Sequence, residues 1–240
     1  MREVIDIGFV LKTRDYKDYD SIVTIYFKEY GKMNLIAKGI KRIKSKNSVS
    51  CLPCHLIEFT FIPKKGLSSL IRATNIKRYQ HVEMDLMGLV YSSYFLEFLY
   101  RSEDENKPSE EHFNFIIKLH EAINNGYQPE LIYSLTNAYI LRTVGSGIQV
   151  DSCTKCCNTN NIIGISVING GFVCNDCLGN FDQIFKKEIL KSFRQLNKAG
   201  FEHLDLLKFN LNDLKQINFV MENFIDEYVG INFKSRKFMN

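Results

Sequence analysis

Two cysteine pairs, Cys153-Thr-Lys-Cys156 and Cys174-Asn-Asp-Cys177, stand seventeen residues apart. That spacing falls within the C-x2-C-x(15 to 20)-C-x2-C pattern of a four-thiolate zinc site. Each C-x2-C turn points two sulfurs to one side, and two such turns form a tetrahedral S4 cage with bonds of about 2.3 Å. Four thiolates close the shell and leave no position for water, so the ion expected is a structural Zn2+. The β-branched run Ile162 to Ile168 precedes Asn169-Gly170, a hairpin signal that would return the second pair to the first. Two disulfides or four buried thiols are the competing readings, and Cys157 in place of Cys156 would make a C-x3-C knuckle.

The second chemistry is electrostatic. Residues 1–80 hold 16 Lys and Arg against 7 Asp and Glu, whereas residues 81–150 hold 4 against 10. The overall charge of +4 therefore conceals a basic N-terminal segment, the signature of a polyanion surface, with nucleic acid ahead of acidic lipid. Lys38, Lys41, Arg42, Lys44 and Lys46 fall in nine positions of one expected loop, and each cation set on a phosphate releases a counterion. Lys12, Arg14, Lys32, Lys64 and Lys65 are expected to extend the patch. Tyr16, Tyr19, Tyr26, Tyr30 and Phe61 are candidates for stacking on bases, although aromatics in strands more often fill cores.

Other chemistry is not legible. No Gly-x4-Gly-Lys-Ser/Thr loop occurs, and His55, His81, His112, His120 and His203 make no metal-binding pair on a helix. His112 and His120 are expected at the surface or the core edge, and Glu103-Asp-Glu105 on a solvated face. Cys51-Leu-Pro-Cys54 has no second pair, and the strand pattern after it is wrong for a redox motif, so its thiols read as structural and partly buried. No nucleophile, base and orienting group can be proposed together, which points to a non-enzymatic protein.

These residues need a frame. Val4 to Thr13, Ser21 to Lys28, Lys32 to Lys38, Leu56 to Ile62 and Ser69 to Ile76 read as short antiparallel strands, the pattern of a small closed barrel of the oligonucleotide-binding (OB) type. From Val82 the period becomes helical: one long helix to Leu99, a second capped by Ser109, and a third begun by Pro129. Helical periodicity returns over Gln183 to Ala199, His203 to Phe209 and Leu211 to Tyr228. The expected fold is α+β and multidomain: an OB-type barrel over residues 1–80, a helical domain over 81–150 and 181–240, and a zinc lobe over 151–180 inserted in it. Acidic residues among the first twenty leave no signal-peptide apolar region, and no apolar run is long enough for a bilayer. With cysteines grouped for metal and not for disulfides, a cytoplasmic location is expected.

The order of parts resembles the RecO family of bacterial recombination mediators. The resemblance is carried by Gly8-Phe-Val-Leu-Lys-Thr-Arg14 with Asp15-Tyr16 and Asp20, by Tyr30-Gly-Lys-Met-Asn-Leu-Ile-Ala-Lys-Gly39, by the four cysteines with Gly170-Gly171, and by Tyr228-Val-Gly230 and Lys234-Ser-Arg236-Lys-Phe238. It implies binding of single- and double-stranded DNA, annealing of complementary strands, contact with the C-terminal tail of single-strand binding protein, and work with RecR to load RecA, without nucleotide hydrolysis. It also implies a nucleoid-associated location and no membrane partner. The competing expectation is a scaffold whose zinc lobe and apolar helices dock partner proteins, with incidental DNA contact. The tail motif is expected to cap the helical core through Arg236.

Overall fold

The computed structural model describes residues 2–239 apart from 43, 44, 46, 48–52 and 65. By compactness the chain forms two units, Met1–Gly126 with Phe233–Asn240, and Tyr127–Asn232.

The first unit is built on β1 (Val4–Tyr16), β2 (Asp20–Phe27), β3 (Gly31–Ala37), β4 (His55–Ile62) and β5 (Ser68–Arg78). They close a barrel in the order β1-β2-β3-β5-β4, antiparallel except for the parallel β3–β5 contact. Closure needs one strand to serve two neighbours. β1 pairs with β4 through Val4 to Gly8 and with β2 through Gly8 to Tyr16, and a register shift between Val10 and Lys12 bends it between the two. Alternating side chains, among them Val23, Ile25, Phe27, Leu35, Ile57, Phe59 and Phe61, fill the interior. The other face of β2 is buried too, because Tyr26 lies under the chain at Ser109, whose N–H donates to the tyrosine oxygen at 3.2 Å. Gly31 begins β3 at φ +65°, and a Cβ there would lie 2.4 Å from the Lys107 backbone; only glycine fits both demands.

The same unit holds α1 (Gln80–Met84), α2 (Leu86–Ser102) and α3 (Glu110–Asn124). The single helix expected from Val82 is thus broken. Asp85 is extended and its carboxylate accepts the Gly88 N–H at 2.8 Å, so it caps α2 instead of continuing α1. Ser109 caps α3 as expected, accepting from the His112 N–H.

The second unit holds α4 (Pro129–Thr143), the sheet β6 (Ile162–Ser166), β7 (Gly171–Cys174) and β8 (Gln183–Ile184), then α5 (Lys187–Lys198) and α6 (Leu211–Tyr228). Helix α5 starts later than its periodicity suggests, because Gln183 and Ile184 pair with Ile165 and Gly164 as the third strand of the sheet. The expected helix from His203 is a 3-10 turn over Phe201–Leu206. Among the described residues no helix is long and apolar enough to cross a membrane.

Candidate nucleic-acid interface and metal centre

Strand register decides which barrel loops share an end. Tyr16 faces Asp20 across the β1–β2 turn, and Ala37 at the end of β3 faces Ser21. The parallel pairing of Leu35 with Ser68 brings the start of β5 to the same end, and Ile62 opposite Ser69 brings the end of β4. The β1–β2 turn, the turn after β3 and the β4–β5 connection therefore meet. Arg14, Lys38, Lys41, Arg42 and Lys64, all exposed, are gathered there. The turn after β3 is fastened to the hairpin tip: the Gly39 N–H donates to Asp20 Oδ1 at 2.7 Å, and the Lys41 N–H donates to the Tyr19 carbonyl at 3.1 Å. Lys41 Nζ lies 2.7 Å from Asp15 Oδ1, and the Arg42 guanidinium lies 5.2 Å from the Tyr19 ring centroid. Lys44, Lys46 and Lys65 lie outside the described residues.

Lys12 and Lys32 are held elsewhere. Lys12 Nζ sits 4.6 Å from the Tyr100 ring centroid on α2, and Lys32 Nζ donates to the Tyr100 carbonyl at 2.9 Å. The acidic segment runs beside β3 with Asp104 and Glu105 exposed, as expected of a solvated face. The Asn106 N–H donates to the Lys32 carbonyl at 2.9 Å, and Asn34 Nδ2 donates to Glu105 Oε1 at 2.5 Å. Of the candidate stacking aromatics, Tyr26 and Phe61 are buried in the barrel, Tyr30 is edge-on to Phe61, and Tyr19 is 56% exposed.

In the second unit the four expected cysteines converge. The sulfurs of Cys153, Cys156, Cys174 and Cys177 all lie within 4.8 Å of one another, with Cys156 and Cys174 3.6 Å apart. A tetrahedral shell with metal–sulfur bonds of 2.3 Å requires sulfur separations of about 3.8 Å, so the set fits a thiophilic ion. Backbone pairing explains the convergence. The Gln149 N–H donates to the Gly170 carbonyl and the Phe172 N–H to the Gln149 carbonyl, both at 2.9 Å, and the Thr154 N–H continues onto the Phe172 carbonyl at 2.8 Å. These bonds lay the first knuckle along β7. A Cβ on Gly171 would lie 2.2 Å from the Gln149 oxygen, which accounts for the glycine.

The thiols differ in acidity. Burial works against ionisation of Cys153, but hydrogen bonds from the Cys174, Cys156 and Lys155 backbone outweigh it and bring the thiol down to about 6. Cys177, hydrogen-bonded to the sulfurs of Cys156 and Cys174, is pushed up to about 12. Four sulfurs this close cannot all shed protons without a cation between them. Lys155, whose Nζ donates to the Cys177 carbonyl at 2.9 Å, adds positive charge at the rim. Cys157 is exposed, at φ +61°, and stands outside the set.

A buried polar chain in the first unit had no clear sequence signal. Cys54 Sγ lies 3.1 Å from Ser92 Oγ, Ser92 Oγ 2.8 Å from His120 Nε2, and His120 Nδ1 2.7 Å from the Ile116 carbonyl. His120 is fully buried, neither at the surface nor at the core edge as expected. Burial pushes the Cys54 thiol up to about 11, against the hydrogen bond with Ser92. Such a thiol is protonated and shielded, the reverse of what a redox cysteine requires. Cys51 lies outside the described residues. Separately, a mostly apolar cavity of about 920 Å3 opens between β1 and α2, rimmed by Lys12, Arg101 and Lys234.

A closed five-stranded barrel in this strand order, followed by helices and a four-cysteine hairpin, defines an OB-type barrel protein with an appended metal-binding knuckle. Within that class the chain belongs to the RecO family: the model for the recombination protein O N terminus matches residues 1–79, and that for its C terminus matches residues 84–237. It is 27% identical over 238 residues to the DNA repair protein RecO of Bacillus pumilus (strain SAFR-032), covering 97% of this chain and 92% of the relative. The DNA repair proteins RecO of Shouchella clausii (strain KSM-K16) and Bacillus subtilis (strain 168) are each 26% identical, with the same coverage.

Proposed function

We propose that this chain is a non-enzymatic, DNA-binding recombination mediator. It binds single- and double-stranded DNA, anneals complementary strands, and with RecR helps load RecA onto strands coated with single-strand binding protein, whose C-terminal tail it contacts. It works in the cytoplasm, at the nucleoid. The observation that carries this reading is the gathering of Arg14, Lys38, Lys41, Arg42 and Lys64 at the barrel end where three connections meet. OB barrels bind oligonucleotides through the β2–β3 face and the loops after β1 and β4, two of which are at this end. Cations there neutralise phosphate, and a surface that does so for two strands lowers the repulsion that opposes annealing.

The ion held by the four cysteines is zinc, in a structural role. With four thiolates filling its shell it fastens the hairpin of β6 and β7, whose dry cluster of Cys153, Val173 and Cys174 is small.

Annealing of complementary oligonucleotides, followed at several salt concentrations with and without the protein, tests the reading. Acceleration that falls steeply with salt is expected. A scaffold with incidental DNA contact, which the apolar cavity beside β1 favours, would leave annealing at its spontaneous rate and still capture partner proteins without DNA.

A further inference from the structure

The same end of the barrel carries an aromatic ring that the cations do not explain. Tyr19 sits at the tip of the β1–β2 hairpin, 56% exposed, where a ring of its size gains little from burial. Its neighbours hold it in place. The Lys41 N–H donates to the Tyr19 carbonyl at 3.1 Å, and the Arg42 N–H donates to the Gly39 carbonyl at 3.1 Å, which fixes the turn bearing the guanidinium 5.2 Å from the ring. Of the other candidate aromatics, Tyr26 and Phe61 are buried, Tyr30 packs edge-on against Phe61 at 5.7 Å, and Tyr16, half-buried at the end of β1, has Lys17 Nζ 5.4 Å from its ring centroid.

We propose that Tyr19, backed by Arg42, is a stacking platform for an unpaired base, so that this end of the barrel recognises single strands through a base as well as through phosphate. The proposal rests on the DNA-binding reading above and names the substrate class it favours. A ring already ordered by its neighbours loses little freedom when a base settles on it. In a duplex each base is covered on both faces by its neighbours. The platform therefore acts on single strands, or on the frayed ends where annealing begins, and it accepts any base because every base has a π face.

The chain contains no tryptophan, so Tyr19→Trp supplies a single indole in the full-length protein. The probes are an oligothymidylate and an abasic strand of equal length, which carry the same phosphates. Oligothymidylate is expected to quench the indole and the abasic strand to leave it unchanged. By fluorescence anisotropy, Tyr19→Ala should weaken oligothymidylate binding roughly 5- to 150-fold, leave abasic-strand binding and the salt dependence as they were, and Tyr19→Phe should restore affinity. If both strands bind, the indole does not distinguish them and Tyr19→Ala binds both as the wild type does, stacking is overturned while DNA binding stands. If the wild-type protein binds neither strand, both readings fall.

Discussion

His120 Nε2 lies 2.8 Å from the hydroxyl of Ser92, and neither residue is exposed to water. The other ring nitrogen fixes the tautomer. Nδ1 faces the Ile116 carbonyl, which only accepts, so Nδ1 carries the proton and Nε2 receives the Ser92 hydroxyl, which in turn accepts from the Cys54 thiol. This chain joins the start of β4, α2 and α3 with a neutral imidazole at its centre.

Acid stability should depend on that imidazole. Burial lowers His120 from about 6.5 to about 4, with the bond to Ile116 opposing the shift. The unfolded chain takes up the proton first as pH falls, so the stabilisation is complete above 6.5 and is lost between there and about 4. The loss should be about 3 kcal/mol. Urea unfolding midpoints of the wild type and His120→Gln between pH 4 and 7 check this, and equal slopes in the two proteins would count against it.

DNA affinity should report which cations face phosphate. On single strands each released counterion contributes about 0.7 to the slope of log affinity against log salt. Alanine at Lys38 or Lys64 should therefore reduce the slope by about that amount. Alanine at Lys12 or Lys32, both held at Tyr100, should leave it unchanged. Slopes measured by fluorescence anisotropy that fall equally for all four variants would dissolve the distinction.

Lys12 and Lys32 also show where sequence reasoning stops. The strands were legible because each alternates over a few residues, and the cysteine site because its turns and hairpin are local. What Lys32 meets is fixed by Tyr100, 68 residues away, and no local pattern encodes that pairing. The acidic run 103–105 is solvated at Asp104 and Glu105 as its composition suggests, but composition does not show that Glu105 bonds to Asn34 on β3. His120 was misplaced for the same reason, since its partner Ser92 lies on another helix. Asp85 is a different case. Its cap over Gly88 is local, but the apolar period on both sides continues through it and hides the break.

Metal content should separate the cysteines. One zinc per chain is expected by native mass spectrometry, and Cys153→Ser, Cys174→Ser and Cys177→Ser should each lose it, together with amide protection in β6 and β7. Cys156→Ser should behave likewise. Cys157→Ser should keep the ion, because Cys157 meets the knuckle through its backbone N–H, 2.9 Å from the Cys153 carbonyl. If Cys157→Ser lost the ion and Cys156→Ser kept it, the knuckle would be C-x3-C.

The C-terminal tail should matter for the stability of the first unit, through Glu97. Its carboxylate accepts the N–H groups of Lys234 and Ser235, each at 3.0 Å, and the Ser235 hydroxyl at 2.9 Å, and it pairs with Arg101 at 2.7 Å. Phe233 is buried with its ring centroid 4.5 Å from that of Tyr94. Glu97 thus ties the backbone of Lys234 and Ser235 to α2. Burial opposes ionisation of Glu97, but the donors from Ser235 and Lys234 prevail and hold it below the usual glutamate value. Its contribution is present above the unfolded value near 4.5 and disappears as pH falls through the lower folded one. That window lies below most of the one governed by His120. Glu97→Gln should cost about 1–2 kcal/mol at neutral pH and less at pH 3. Truncation after Asn232 should cost more, because it also uncovers Tyr94. Thermal melts of both variants at the two pH values decide the matter, and a truncated chain that melts with the wild type would show that the tail only rests on α2.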